Sequence, residues 1–253
     1  LNVELFKIKE LLDKESQKRD SINELSLERP DPLIVAKKWN DERVALISAL
    51  FAYGKASLIL KFLESLDFDL LNDNEVKIEK LRSKVYRFQT GNDIEALFIA
   101  LNRIYKNGET LETIFKNGYL KNRSVLDGIS QIINRIKTIN PYFSNGYKFL
   151  IGDAPTGKLI GESPLKRWNL YIRWMVRRDN LDMGLWSDIS RSDLLIPLDT
   201  HTFHISQKLN LLQRKTYDLK AVFNLTNKLK EFDSEDPVKY DFALYRIGQE
   251  GLI

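Results

Sequence analysis

Apolar residues recur every three to four positions along most of this chain and rarely alternate one in two, which is the period of helices rather than strands. Leu46, Ile47, Leu50 and Phe51 form one such stripe. Asp41 caps it, and the spacing predicts a helix through Tyr53 that Gly54 ends. Ser57 opens a shorter helix to about Leu66. Asn92 or Asp93 caps a helix carrying Leu97, Phe98, Leu101, Ile104 and Tyr105. Thr110–Lys116 is expected to stop at Asn117-Gly118. Ser124–Ile136 follows, with Leu126, Ile129, Ile133 and Ile136 on one side. Asp218 starts a helix bearing Val222, Leu225, Leu229 and Phe232, and Asp236-Pro237 opens a last one to Gly248. The opening stretch LNVELFKIKELLDKESQKRD is an amphipathic, charged helix. Asn140 to Glu162, rich in Gly, Pro and Asn, reads as the longest irregular piece. The expected class is all-α.

One helix stands apart in its polar pattern. In SPLKRWNLYIRWMVRR, Ser163 is the expected N-cap and Pro164 the first helical residue. Leu165, Trp168, Ile172 and Met175 make the buried stripe, while Lys166, Asn169, Arg173 and Arg177 line up on a polar one. Lys166 falls in the first turn, where the helix dipole disfavours a positive charge. Arg167 beside it and partial burial work the same way, so the neutral, nucleophilic amine is favoured there. The plainer reading is a solvated surface lysine.

Composition removes several kinds of chemistry. The 253 residues include no cysteine, so thiolate nucleophiles, disulfides, zinc–thiolate sites and iron–sulfur clusters are excluded. Hydrophobic and charged contents of 43% and 29% are those of a soluble globular protein. No apolar run has membrane-spanning length, and no signal-peptide pattern opens the chain, so a cytoplasmic location without membrane contact is expected. A net charge of +4 is compatible with a nucleic-acid partner without pointing to one. Its distribution is uneven. Lys166, Arg167, Arg173, Arg177 and Arg178 face no acid between 164 and 178, and six cations between Lys208 and Lys230 face only Asp218.

Both histidines lie in PLDTHTFHI, residues 197–205. Asp199 ends an apolar run just where another helix begins, so it can be an N-cap, and a helix start also favours the carboxylate anion. With His201 and His204 it could instead form a D-x-H-x-x-H metal set, although no further His or Cys completes a tetrahedron. These readings stay open on the residues alone.

A lysine at a helix start followed by an apolar segment ending in L-D-T-H resembles the helix-hairpin-helix–GPD superfamily of DNA glycosylases. The long spacing of Lys166 and Asp199 is nearest to its archaeal 8-oxoguanine (GO) branch. The stretches KRWNLYIRWMVRRDNLDMGLWSDISRSDLLIPLDTHT and DPVKYDFALYRIG, with DPL and ALFAYGK near the N-terminus, also resemble a bacterial group carrying the same segments. The resemblance implies an all-α fold of two helical lobes with a DNA cleft between them. The lobes would be 31–179, holding the hairpin and Lys166, and 1–30 plus 180–253, holding Asp199. It implies Lys166 as Schiff-base nucleophile and Asp199 as catalytic carboxylate. Asp241, Tyr245, Arg173 and Tyr53 would hold the flipped base, and Gly161, Ser163, Arg167, Lys55 and His201 would contact DNA. No metal or cofactor is implied. The expected partner is duplex DNA with an oxidised purine, bound by a monomer. The usual G-x-G hairpin is replaced by GESPLK, with a single glycine. The residues alone also admit a non-catalytic helical DNA-binding protein, a metal-dependent hydrolase, a helical scaffold, or a glycosylase for another damaged base.

Overall fold

The computed structural model describes residues 3–26 and 28–251. Leu1 and Asn2 of the expected N-terminal helix lie outside them. Among the described residues there are thirteen α-helices and no strand, only isolated bridges. In chain order they are α1 (Val3–Arg19), α2 (Leu33–Trp39), α3 (Glu42–Leu50), α4 (Ala56–Glu64), α5 (Glu75–Ile78) and α6 (Gly91–Lys106). There follow α7 (Leu111–Asn122), α8 (Val125–Ile139), α9 (Asn145–Ile151), α10 (Lys166–Val176), α11 (Thr200–Lys208), α12 (Leu219–Lys230) and α13 (Asp241–Gln249). None of the helices described is long and apolar enough to cross a membrane.

The chain divides into two compact units, Pro30–Pro155 and Leu1–Arg29 with Thr156–Ile253. The second boundary therefore falls near 155 rather than at the expected 179. Helix α10, with Lys166, belongs to the same unit as Asp199. The reason is local: the loop before α10 is bonded to α12, through Leu219 N–H to Glu162 O (2.9 Å) and Lys220 N–H to Leu159 O (3.1 Å).

In the middle unit, caps and buried polar side chains fix how the helices meet. Asp41 takes the Arg43 amide at 2.7 Å, as its sequence position predicts, but α3 stops at Leu50. Thr90, not Asn92 or Asp93, caps α6, with Asp93 closing a capping box from the third helical position. Asp93 is 1% exposed and also accepts from the hydroxyls of Tyr142 and Ser144, which ties α9 to α6. Helix α9 lies inside the stretch read as irregular. Ser144 caps it, and Tyr147, Leu150 and Ile151 bury its short apolar face.

Helix α7 runs through Asn117-Gly118 to Asn122, past its expected end. Gly118 is not a stop but a contact point. A Cβ there would lie 2.4 Å from the Asp127 carbonyl oxygen of α8, a backbone atom that cannot swing away. Replacing Gly118 by alanine is therefore expected to destabilise the protein by about 1–3 kcal/mol through overpacking. Thermal unfolding followed by circular dichroism checks this; an unchanged midpoint would mean that the two helices adjust freely.

The unit of the two termini is built from α1 and α10–α13. Leu12, Leu198, Val222, Leu225, Leu229, Leu244 and Ile247 are fully buried. Arg19, only 2% exposed, ends α1 with its guanidinium bonded to Glu15, Glu24 and Glu250, so the first and last helices are joined by charge-assisted bonds. Asp218 caps α12 through the Ala221 amide at 3.1 Å, as its sequence position predicts.

Candidate active site

Helix α10 begins at Lys166, not at Pro164. Ser163 is not its N-cap: the cap position is Leu165, a buried residue in the left-handed region (φ 54°), with no side-chain cap bond. Burial of the Leu165 side chain turns the chain here, and Ser163 Oγ accepts the Leu165 amide at 3.3 Å instead. Asn169 Nδ2 donates to Pro164 O at 3.1 Å and fastens the turn to the helix. Lys166 is left as the first helical residue, half-buried.

Below Lys166 the polar stripe turns inward. Arg173 is 3% exposed. Its Nε donates to Asp182 at 3.1 Å and its Nη1 to Asp241, from the first turn of α13, at 2.6 Å. Arg177, one turn on, bonds Asp182 and also Asp236 (2.9 Å) and Asp179 (2.7 Å). Two guanidiniums and four carboxylates thus form one buried network. Such a network is worth little net stability but is strongly damaged by losing one member. Burial works against the charge on Arg173, yet Asp182 and Asp241 hold its affinity for a proton above the ordinary arginine value.

Asp241 is the centre of this arrangement. Its carboxyl is raised to about 6, first by burial and also by Asp199, with Arg173 and Lys166 acting in the opposite direction. Asp241 thereby registers the charges of both Lys166 and Asp199, which arrive from the starts of two different helices. Asp199 caps α11, accepting the Thr202 amide at 2.7 Å. Its charge also reaches Tyr217, whose hydroxyl is pushed up to about 12, first by burial and then by Asp199. Tyr217 donates to Leu198 O at 2.8 Å and so holds the strap that delivers Asp199. Capping and an electrostatic influence on Asp241 coexist in one aspartate.

Tyr245, one turn beyond Asp241 on α13, is half-buried and meets the His201 ring edge-on at 6.0 Å between centroids. His201 Nε2 is enclosed, because a Cβ on Gly248 would come within 2.5 Å of it. The ring is thus turned against α13 rather than offered to a phosphate, and that expected DNA contact is not formed by its Nε2. His204 is exposed against Phe203. Among the described residues no three His, Asp or Glu side chains gather as a metal-ligand set, so the D-x-H-x-x-H pattern does not converge.

The remaining expected DNA contacts divide. Gly161 has φ +78°, but its amide donates to Asp218 at 2.9 Å, so the carboxylate takes the place expected for a phosphate. Arg214 shares that carboxylate, which is held down at about 2 chiefly by the Arg214 hydrogen bond. Arg167 is half-buried beside Lys166. Tyr53 and Lys55 belong to the other unit, where the Tyr53 ring joins an aromatic cluster and its hydroxyl donates to Gln89.

Sequence reasoning missed Asp182, Asp236 and Asp218 as site-shaping groups. The signal for the first two was present in Arg173 and Arg177, a pair at i, i+4 on a helix otherwise rich in aromatic and aliphatic residues. Arginines so placed call for buried carboxylates.

An all-helical protein whose terminal unit carries Lys166, Asp199 and the buried Arg173–Asp241 pair is the class that fold and site define. Residues 31–250 match the family described as protein of unknown function (DUF2400), and the chain belongs to it. No curated protein and no solved structure matches the chain.

Proposed function

We propose that this protein is a DNA glycosylase with lyase activity, of the helix-hairpin-helix–GPD type, that removes 8-oxoguanine through a Schiff base on Lys166. The observation that supports this reading is that Lys166, first residue of α10, and Asp199, cap of α11, both act by charge on the buried Asp241. A binding surface needs no such pair, whereas displacement by an amine at a sugar carbon is served by a carboxylate that meets the positive charge developing there.

In the proposed reaction a damaged nucleotide leaves the base stack, at an unstacking cost of a few kcal/mol that is lower for damaged pairs. The Lys166 amine, once it has given up its ammonium proton, attacks C1′, the bond from C1′ to the base breaks, and the base departs with the electron pair of that bond. Asp199 stabilises the positive charge that develops on the sugar. One amine proton passes to the departing base, and the other passes to O4′ as the C1′–O4′ bond breaks, the ring opens and the C1′=N imine forms. Loss of a C2′ proton then expels the 3′ phosphate and nicks the strand. Asp241 and Tyr245 would face the flipped base, the acid accepting from purine N–H groups and the ring stacking on it. Arg173 acts through Asp241, holding its carboxylate in place.

A duplex with one 8-oxoguanine, compared with duplexes carrying 3-methyladenine, thymine glycol or an A·8-oxoguanine mispair, tests the assignment. Nicking specific to 8-oxoguanine is expected, and nicking of none of them would contradict it. The acid limb of the reaction is a second expectation. Because burial and Asp199 raise Asp241 to about 6, the carboxylate bonded to Arg173 is lost as pH falls through that value. Single-turnover rates should therefore drop below about pH 6 in the wild type, and in Asp241→Asn the remaining rate should show no limb there.

A non-catalytic DNA-binding protein is the second reading. The Gly161 amide closed by Asp218 and the Arg173–Asp241 pair closed on itself favour it. Binding of the 8-oxoguanine duplex without any nicking would support it.

A further inference from the structure

The middle unit presents a rigid aromatic surface for which the chemistry of Lys166 has no use. Tyr86 and Gln89 exchange backbone hydrogen bonds, 3.1 and 2.9 Å, and close a two-residue turn with Arg87 and Phe88 at its tip. Arg87 lies in the left-handed region (φ 52°), and Phe88 is 57% exposed. The Phe88 ring is parallel to that of Tyr53, 3° apart at 6.2 Å. Phe149, 44% exposed, meets both edge-on at 5.1 and 5.2 Å. The Arg87 guanidinium lies over both parallel rings, at 5.7 and 5.4 Å.

The cluster is framed from behind. Tyr86 donates its hydroxyl to Tyr53 O at 2.7 Å, and Gln89 donates to Gly146 O at 2.9 Å. Gly54 (φ +103°) lets the turn lie close, since a Cβ there would fall 2.4 Å from Arg87 Nη1. Exposed phenylalanine rings gain nothing from folding, so a framed set of them marks a contact surface.

Charge decides what the surface contacts. The segments 53–58, 84–88 and 145–149 carry Lys55, Lys84, Arg87 and Lys148 and no acid. Among the described residues, Lys148 alone of these four lies within 4 Å of a carboxylate, Asp153 at 3.8 Å. Flat apolar rings set among cations complement a ligand whose flat rings are linked by anions. Base-on-aromatic stacking with cationic flanks is how unpaired strands are held.

We propose that Tyr53, Phe88 and Phe149, with Arg87, Lys55 and Lys84, form a binding site for the unstacked bases of single-stranded nucleic acid. Tyr53 and Lys55 are also residues that the glycosylase resemblance assigns to DNA, but the site lies wholly within the middle unit and does not depend on Lys166.

The test uses the full chain and a fluorescein-labelled oligothymidylate of twenty nucleotides, with a second oligonucleotide carrying 2-aminopurine to report stacking. The wild type should bind the first and quench the second. Phe88→Ala should weaken binding about tenfold, the loss of one stacked base, and relieve the quenching. Leu120→Ala, at an exposed apolar position on α7 (60% exposed), should change neither. Phe88→Ala should remain folded, with thermal melting lowered only by the loss of the ring's contacts to Tyr53 and Phe149, because the ring is more than half exposed. No binding by the wild type, equal affinity in Phe88→Ala, or Phe88-dependent adsorption to phosphatidylserine vesicles without strand binding would overturn the assignment. Borohydride capture of 8-oxoguanine duplex, run in parallel, separates the two claims. Capture with Phe88-independent strand binding removes this site alone, and Phe88-dependent strand binding without capture removes the catalytic reading alone.

Discussion

Lys166→Gln is expected to abolish both strand nicking and borohydride-dependent cross-linking to an 8-oxoguanine duplex, while the variant still binds that duplex. The reasoning is chemical. Glutamine keeps the length and polarity of the side chain but has no nucleophilic amine, so no imine forms and nothing is left to reduce. Binding changes little because a single half-buried cation contributes about 1 kcal/mol or less to an ionic contact near solvent, roughly fivefold in affinity at most. The substitution also removes one of the two positive charges that offset the burial of Asp241, so the Asp241 carboxyl should rise further above its present value of about 6. A variant that still nicks or still cross-links would assign the nucleophile to another lysine.

The second large effect is on stability. Arg173→Met should cost about 3–5 kcal/mol at pH 7.5, because it leaves two carboxylates, Asp182 and Asp241, without their shared partner in the interior. For a chain of this size that is on the order of 10 °C in Tm. The pH dependence gives the mechanism away. Burial raises both Asp182 and Asp241 above the ordinary aspartate value, and Arg173 is among the groups that pull each of them back down. Without Arg173 both rise further. A carboxyl raised in the folded state contributes stability below its unfolded pKa, near 4, and loses that contribution as pH rises through the folded value. The deficit of Arg173→Met should therefore shrink steadily as pH falls from 7.5 toward 5. A deficit equal at both pH values would mean that lost packing, not stranded charge, is responsible. Asp241→Asn in the Arg173→Met background should recover part of the loss, since Asp241 is the carboxylate left with no guanidinium while Asp182 keeps Arg177.

The helical class was legible because the apolar stripes of α3, α6, α8 and α12 repeat at a period that only a helix satisfies. Caps were legible where one residue does the work, as at Asp41 and Asp218. They were misread where tertiary packing overrides local preference. Gly118 reads as a stop in isolation, yet it is the residue that lets α7 approach α8. Ser163 and Pro164 read as a helix start, yet burial of Leu165 moves the start to Lys166.

The candidate site divides in the same way. Lys166 and Asp199 stand out by their positions in the sequence, since each sits where a helix begins. That Arg173 would be consumed by Asp182 and Asp241 depends on the arrival of α13 beside α10, which no local pattern encodes. Nor does the sequence near GESPLK show that Asp218, far along the chain, takes the Gly161 amide. Long-range pairing of charges is where local reasoning stops, because the partners share no spacing rule.

The most direct measurement is peptide mapping by mass spectrometry of the wild-type protein after borohydride reduction with an 8-oxoguanine duplex. A single adduct on the peptide beginning α10, at Lys166, is the predicted result. An adduct on another lysine, or an unmodified Lys166 alongside nicked DNA, would contradict the account.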